Sequence, residues 1–125
     1  MSELFHTNSN LPILIQKLKF VYQEWSHIQK HIPKIHRYSI AVKIDNIFIQ
    51  VIELSFILLS EKDYSLAAKL ISKIDLLKFM ILVLFEIHGI DEKKYINLNL
   101  KIEEIGKIVF GIRRNIKTTH NLSGK

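Results

Sequence analysis

The sequence predicts an all-α protein, an antiparallel up-down-up-down four-helix bundle, on three observations. Apolar residues make up 48% of the 125-residue chain while Gly and Pro number four and two, a composition suited to regular structure rather than disorder or a loop-rich β-fold. Four segments repeat their apolar residues at steps of three and four, the period of one helix face. The breaks between them are short, and helices of roughly 20 residues joined by short loops pack most easily as antiparallel neighbours. A single domain over residues 1–125 is expected, large enough to bury a core without metal or disulfide staples.

The first helix is expected over about residues 11–31. Leu11, Leu14, Leu18, Val21, Trp25, Ile28 and Ile32 form its stripe, Asn10 stands where a cap belongs, Pro12 suits the first turn and Pro33 stops it. The second, about 36–60, lines up Ile40, Ile44, Ile47, Val51, Leu54 and Leu58. Ser39, ahead of that run, reads as a helix cap or turn residue. The polar stripe here is narrow: Lys43, Asn46, Gln50 and Glu53. Phe48, Ile49, Ile52, Phe56 and Leu59 occupy the rest of the circumference, more apolar surface than one side of a bundle covers, so oligomerisation is expected.

After the charged turn EKDYS, the third helix is expected over about 66–88, with Gly89 as the left-handed residue that ends it. Asp91 is a good cap for the fourth, about 91–116, where Tyr95, Leu98, Ile102, Ile105, Val109, Ile112 and Ile116 repeat. The tail, 117–125, reads as frayed. Gly106 and Gly111 stand inside this helix, each at a cost of about 1 kcal/mol relative to Ala. Tight packing within the bundle explains them, or close approach of a subunit or partner helix.

The formal charge is +6, and the excess is unevenly placed. Residues 25–44 hold no acidic side chain but carry Lys30, Lys34, Arg37 and Lys43 with His27, His31 and His36. A second acid-free zone follows Glu104 and carries Lys107, Arg113, Arg114, Lys117 and Lys125. Such zones attract a phosphate-rich partner, although solubility alone also explains a modest positive charge. The absence of cysteine removes thiol catalysis, Cys-based zinc sites and disulfides, and fits a reducing cytoplasm. Residues 1–10 do not have the pattern of a secretory signal, and no uncharged run approaches the ~20 residues of a membrane span, so neither export nor a membrane partner is expected.

Several short runs resemble one bacterial family. Pro33-Lys34-Ile35-His36-Arg37-Tyr38-Ser39-Ile40 is similar to the Pro-Lys-x-x-Arg-aromatic-Ser/Thr-aliphatic entry to the second helix of a group of four-helix-bundle proteins. Ile74-Asp75-Leu76-Leu77-Lys78, the loop from His88 to Tyr95 and the run from Glu104 to Ile112 match the group in order and spacing. The group comprises the accessory variability determinant (Avd) of diversity-generating retroelements and the proteins encoded in ribosomal RNA intervening sequences. The chain departs from it at Phe110-Gly111-Ile112, where Gly-Gly-Trp is frequent, and at Lys43, where an arginine is expected. The resemblance implies a ring-like, basic homo-oligomer, a homopentamer, with no catalytic activity and no cofactor. It also implies association with the element's reverse transcriptase and with its template RNA, in support of mutagenic cDNA synthesis. For the intervening-sequence relatives a structural role with a protein partner stands as the alternative.

The candidate nucleic-acid-binding residues are Lys34, Arg37, Tyr38, Lys43, Arg113 and Arg114. Arg37 offers bidentate contacts to phosphate, the lysines add compact charges, and Tyr38 can stack on an unpaired base. Against this stand structural roles: Arg37 paired with an acid such as Glu92, and Tyr38 packed against the start of the fourth helix. No catalytic constellation is legible, and Ser39 has no partners for nucleophilic chemistry. Glu24, His27 and His31 share one helix face, but none of the other three expected helices carries a second Glu-x-x-His to complete a carboxylate-bridged metal centre, so no metal is expected.

Overall fold

The computed structural model describes residues 11–123, with side chains through residue 116. Five helices follow one another: α1 (Ile13–Gln29), α2 (Lys34–Arg37), α3 (Ile40–Glu61), α4 (Tyr64–Glu86) and α5 (Glu92–Ser123). No strand occurs among the described residues. α1 packs on α3 and α5, and α4 packs on the same two, so the four long helices surround one core.

Each long helix contributes the face that its sequence period predicts. Leu14, Leu18, Val21, Trp25 and Ile28 of α1 are buried, as are Ile44, Ile47, Val51 and Leu58 of α3. α4 supplies Leu70, Ile74, Leu77, Ile81 and Leu84, and α5 supplies Leu98, Ile102, Ile105 and Val109. At about 1.5–3 kcal/mol for each fully buried large aliphatic or aromatic side chain, this layer is the main source of stability.

The surplus expected on the second helix is largely absorbed within the chain. Phe48 is fully buried, its ring centre 5.8 Å from that of Trp25 and 5.7 Å from that of Tyr22. Ile52 and Leu54 are half-buried against the same core, and of the large side chains named there Ile49 is the exposed one. With α1 on one flank and α4 on the other, the cover reaches further round α3 than a single contact face would. Outside the turn that precedes α3, the prominent exposed apolar side chains are Ile13 and Phe20 of α1 (Phe20 65% exposed), Phe79 of α4, and Leu100 (60%) and Phe110 of α5.

Helix ends are where the chain departs most from expectation. Asn10 lies outside the described residues; Pro12 occupies the N-cap position of α1, without a side-chain cap. The expected second helix is interrupted at Tyr38 and Ser39, leaving α2 as a single turn. Ser39 leaves helical geometry (φ −126°, ψ −98°), and its hydroxyl donates backwards to the Ile35 carbonyl at 2.9 Å, the local bond with which serine competes against helix continuation. Its own carbonyl accepts from the amides of Val42 and Lys43, so it starts α3 through the backbone.

α3 ends at a left-handed Lys62 (φ 52°), whose amide donates to the Leu58 carbonyl at 2.7 Å. Asp63 then caps α4, accepting from the Ser65 amide at 3.0 Å. Asp91 caps α5 as expected, accepting from the Lys94 amide at 2.8 Å. α5 runs to Ser123, past the point where fraying is expected; residues 117–123 contain neither Gly nor Pro to stop it.

Gly89 is not the left-handed residue. His88 is (φ 66°), and its amide donates to the Phe85 carbonyl while the Gly89 amide donates to that of Leu84 at 2.8 Å, the paired bonds of a Schellman end. Gly89 is required for a different reason: a Cβ there would stand 2.8 Å from Leu84 Cγ and 3.0 Å from the Leu84 carbonyl. In α5 the opposite holds. A Cβ on Gly111 would meet nothing within 4 Å, and one on Gly106 would make an ordinary 3.7 Å contact with Ile74, so packing within the chain demands neither glycine.

Candidate nucleic-acid interface

The hinge between α1 and α3 is built by Pro33 and Arg37. Pro33, with φ −52°, cannot continue α1 and instead sets the entry to α2. One turn later Arg37 reaches back. Its Nε donates to the Ile32 carbonyl and its Nη2 to the Lys30 carbonyl, each at 3.0 Å. These carbonyls belong to the turn that follows α1, where helix-end acceptors lack intrahelical partners and the macrodipole favours a cation. Arg37 is therefore a clasp holding α2 against the end of α1, a structural role filled by backbone carbonyls rather than by an acid such as Glu92.

That clasp fixes how the neighbouring side chains are presented. Lys34 on α2 and Lys43 in the first turn of α3 are exposed, as are Lys30 and His31. Tyr38 is 73% exposed, most of its ring open to solvent. Ile35 projects further still, at 77% exposed. Four of the six predicted residues, Lys34, Arg37, Tyr38 and Lys43, are thus gathered on one hinge.

Arg113 and Arg114 belong to a separate place. The Arg113 guanidinium lies 4.6 Å from the Phe110 ring centre and 5.8 Å from that of Tyr64, so it is half-buried over two aromatic faces where α4 begins. Arg114 is exposed beside it. The 22 residues of α3 separate this end from the hinge by about 33 Å, so the two cation groups do not form one site.

The sequence reading missed Asp45. This half-buried carboxylate of α3 accepts from the Tyr22 hydroxyl at 2.9 Å and from Trp25 Nε1 at 3.2 Å, both on Oδ1. Burial above all pushes the Tyr22 hydroxyl above the ordinary tyrosine value, the Asp45 hydrogen bond and charge add to this, and Ser26 opposes it. The available signal was an acid interrupting the apolar arc of the second helix, with Tyr22 and Trp25 three residues apart on the first. This constellation locks α1 to α3 just beyond the hinge.

The face carrying Glu24, His27 and His31 is occupied by other contacts. Glu24 pairs with Lys101 and accepts from Asn97, and the His27 and His31 rings meet edge to face with centres 5.4 Å apart. No group of three or more His, Asp or Glu side chains suited to a metal ion occurs among the described residues, and no helix there is long and apolar enough to cross a membrane. The chain matches no protein-family model, no curated protein and no solved structure.

Proposed function

We propose that this chain is a non-enzymatic accessory protein that binds RNA or DNA electrostatically through its hinge. In this reading it works in the cytoplasm as a ring-like homo-oligomer, a pentamer by the Avd resemblance, and associates with the reverse transcriptase of a diversity-generating retroelement to support mutagenic cDNA synthesis. The single observation that carries the nucleic-acid part is the acid-free hinge, where Lys30, Lys34 and Lys43 are all exposed with an exposed tyrosine among them. A polyanion that neutralises these cations releases its own counterions on binding.

An up-down-up-down topology belongs to the same proposal. It is supported by contacts whose residue numbers rise on one helix as they fall on the other: Tyr64 with Arg113, Lys78 with Glu103 and Phe85 with Tyr95, then Lys17 with Glu104 and Glu24 with Lys101. Association into an oligomer is supported by Gly111, which costs a helix about 1 kcal/mol and has open space around it, as a partner helix approaching closely would require.

The test is the mass of the particle by light scattering, followed by titration of a labelled structured RNA at two salt concentrations. The expected result is an oligomer whose affinity falls steeply with salt. The salt slope becomes shallower by about 0.7–0.9 for each phosphate that the Lys34→Ala or Lys43→Ala variant no longer neutralises. A monomer without RNA affinity would refute the proposal. A scaffolding role with a protein partner is the second reading, favoured by the exposed Phe20, Phe79, Leu100 and Phe110; salt-insensitive or absent RNA binding by an oligomer would select it.

A further inference from the structure

Among the described residues the two most exposed large apolar side chains, Ile35 and Tyr38, are three positions apart on the hinge. Lys34 adjoins Ile35, and Lys30, His31 and Lys43 are exposed on the flanking segments, within a stretch that has no acid to repel phosphate. A surface meant only to neutralise a stiff phosphate backbone gains nothing from apolar groups projecting between its cations. They would hold such a backbone away from the lysines.

We propose that the hinge binds an unpaired nucleic-acid strand in preference to a duplex, with Tyr38 as the ring on which a base stacks. Ile35 forms an apolar wall beside that base, and Lys34 and Lys43 meet the flanking phosphates. The inference rests on the nucleic-acid reading above and names its ligand class. In a duplex the base faces are already stacked on one another, and the major groove of A-form RNA is too narrow for side chains to enter. An unpaired strand offers free π-faces, and every base has one, so recognition of this kind tolerates any sequence. The Arg37 clasp adds to the selection, because the turn carrying Tyr38 is already tied to the α1 end by two hydrogen bonds and need not be ordered on binding.

The experiment is an anisotropy titration of the full chain with a labelled single-stranded oligouridine RNA and with an RNA duplex of equal length, alongside cosedimentation with phosphatidylserine vesicles. Wild type, Tyr38→Phe, Tyr38→Ala and Lys34→Ala are compared. Because Tyr38 is so exposed, its substitution leaves the fold intact, which circular dichroism checks. The expected result is tighter binding of the single strand and a loss of about tenfold or more for Tyr38→Ala on that strand alone. Tyr38→Phe keeps the affinity, and Lys34→Ala weakens both RNA forms. Salt-dependent binding that ignores Tyr38, or that favours the duplex, overturns this inference and leaves the electrostatic proposal standing. Vesicle binding that requires Tyr38, without any single-strand preference, overturns it in favour of a lipid surface. No binding to either RNA overturns both.

Discussion

Replacing Gly89 with Ala introduces one methyl group, and the geometry says where the cost falls. The new Cβ would lie 2.8 Å from Leu84 Cγ, closer still to Cδ1, and 3.0 Å from the Leu84 carbonyl. Leu84 is fully buried, so its side chain has no solvent to swing into. Overpacking of this kind costs about 1–3 kcal/mol, and the reduced freedom of Ala in the unfolded chain returns about 0.4–1. The net expectation is a destabilisation of roughly 1–2 kcal/mol, a fall in Tm of about 4–8 °C for a domain of this size. Urea unfolding followed by far-UV circular dichroism measures it. The mechanism has its own control, because Leu84→Ala removes the clashing carbons: in that background Gly89→Ala should cost markedly less, only the carbonyl contact remaining. His88→Gly, one residue away, should carry the opposite sign or none, since it relieves a left-handed φ of 66°. An equal Gly89→Ala penalty in both Leu84 backgrounds, or no penalty at all, would refute this account of the α4 terminus.

Two further stability predictions follow from α1 and α5. Tyr22 holds its proton more tightly in the folded chain than in the unfolded one, which releases it near pH 10. Its contribution is therefore complete below that pH and is lost as pH rises through the elevated native value. Tyr22→Phe should cost about 1 kcal/mol at neutral pH and flatten the alkaline decline relative to wild type, and unchanged alkaline melting curves would contradict this. Gly111→Ala should stabilise the isolated subunit by up to about 1 kcal/mol, because helix propensity improves and nothing lies within 4 Å of the new methyl. Thermal melting decides the sign, and light scattering on the same variant shows whether a partner helix needed the space.

What could be read in the sequence was the periodic part. The apolar stripes of α1, α3, α4 and α5 match the buried rows because burial selects one helix face and writes it at steps of three and four. Asp91 was readable as a cap because its amide partner lies only three residues on. Arg37 was identified as important, but its action was not: bonding to the Lys30 and Ile32 carbonyls depends on where α1 stops, a matter of one or two residues. The same register sensitivity moved the left-handed role from Gly89 to His88. Asp45 was missed because its partners sit 20 and 23 positions earlier, and only the packing of α1 on α3 brings them together. Two arginines that read alike as cations, Arg37 and Arg113, turned out to be held by carbonyls and by aromatic rings. Charge is visible in a sequence, and its partner is not.

The connection between α3 and α4 has two residues, and each of those helices packs on its neighbour in the chain. Contacts between successive helices close small loops, whereas the α1–α5 seam, tied by Lys17 to Glu104 and by Glu24 to Lys101, joins distant parts of the sequence. Such a chain belongs with the fast-folding helical bundles, in the microsecond to millisecond range, with docking of α1 as the step that pays the largest loop-closure entropy. The seam's ties are exposed ion pairs worth less than about 1 kcal/mol each, so native-state hydrogen exchange in α1 is where added salt would first accelerate opening.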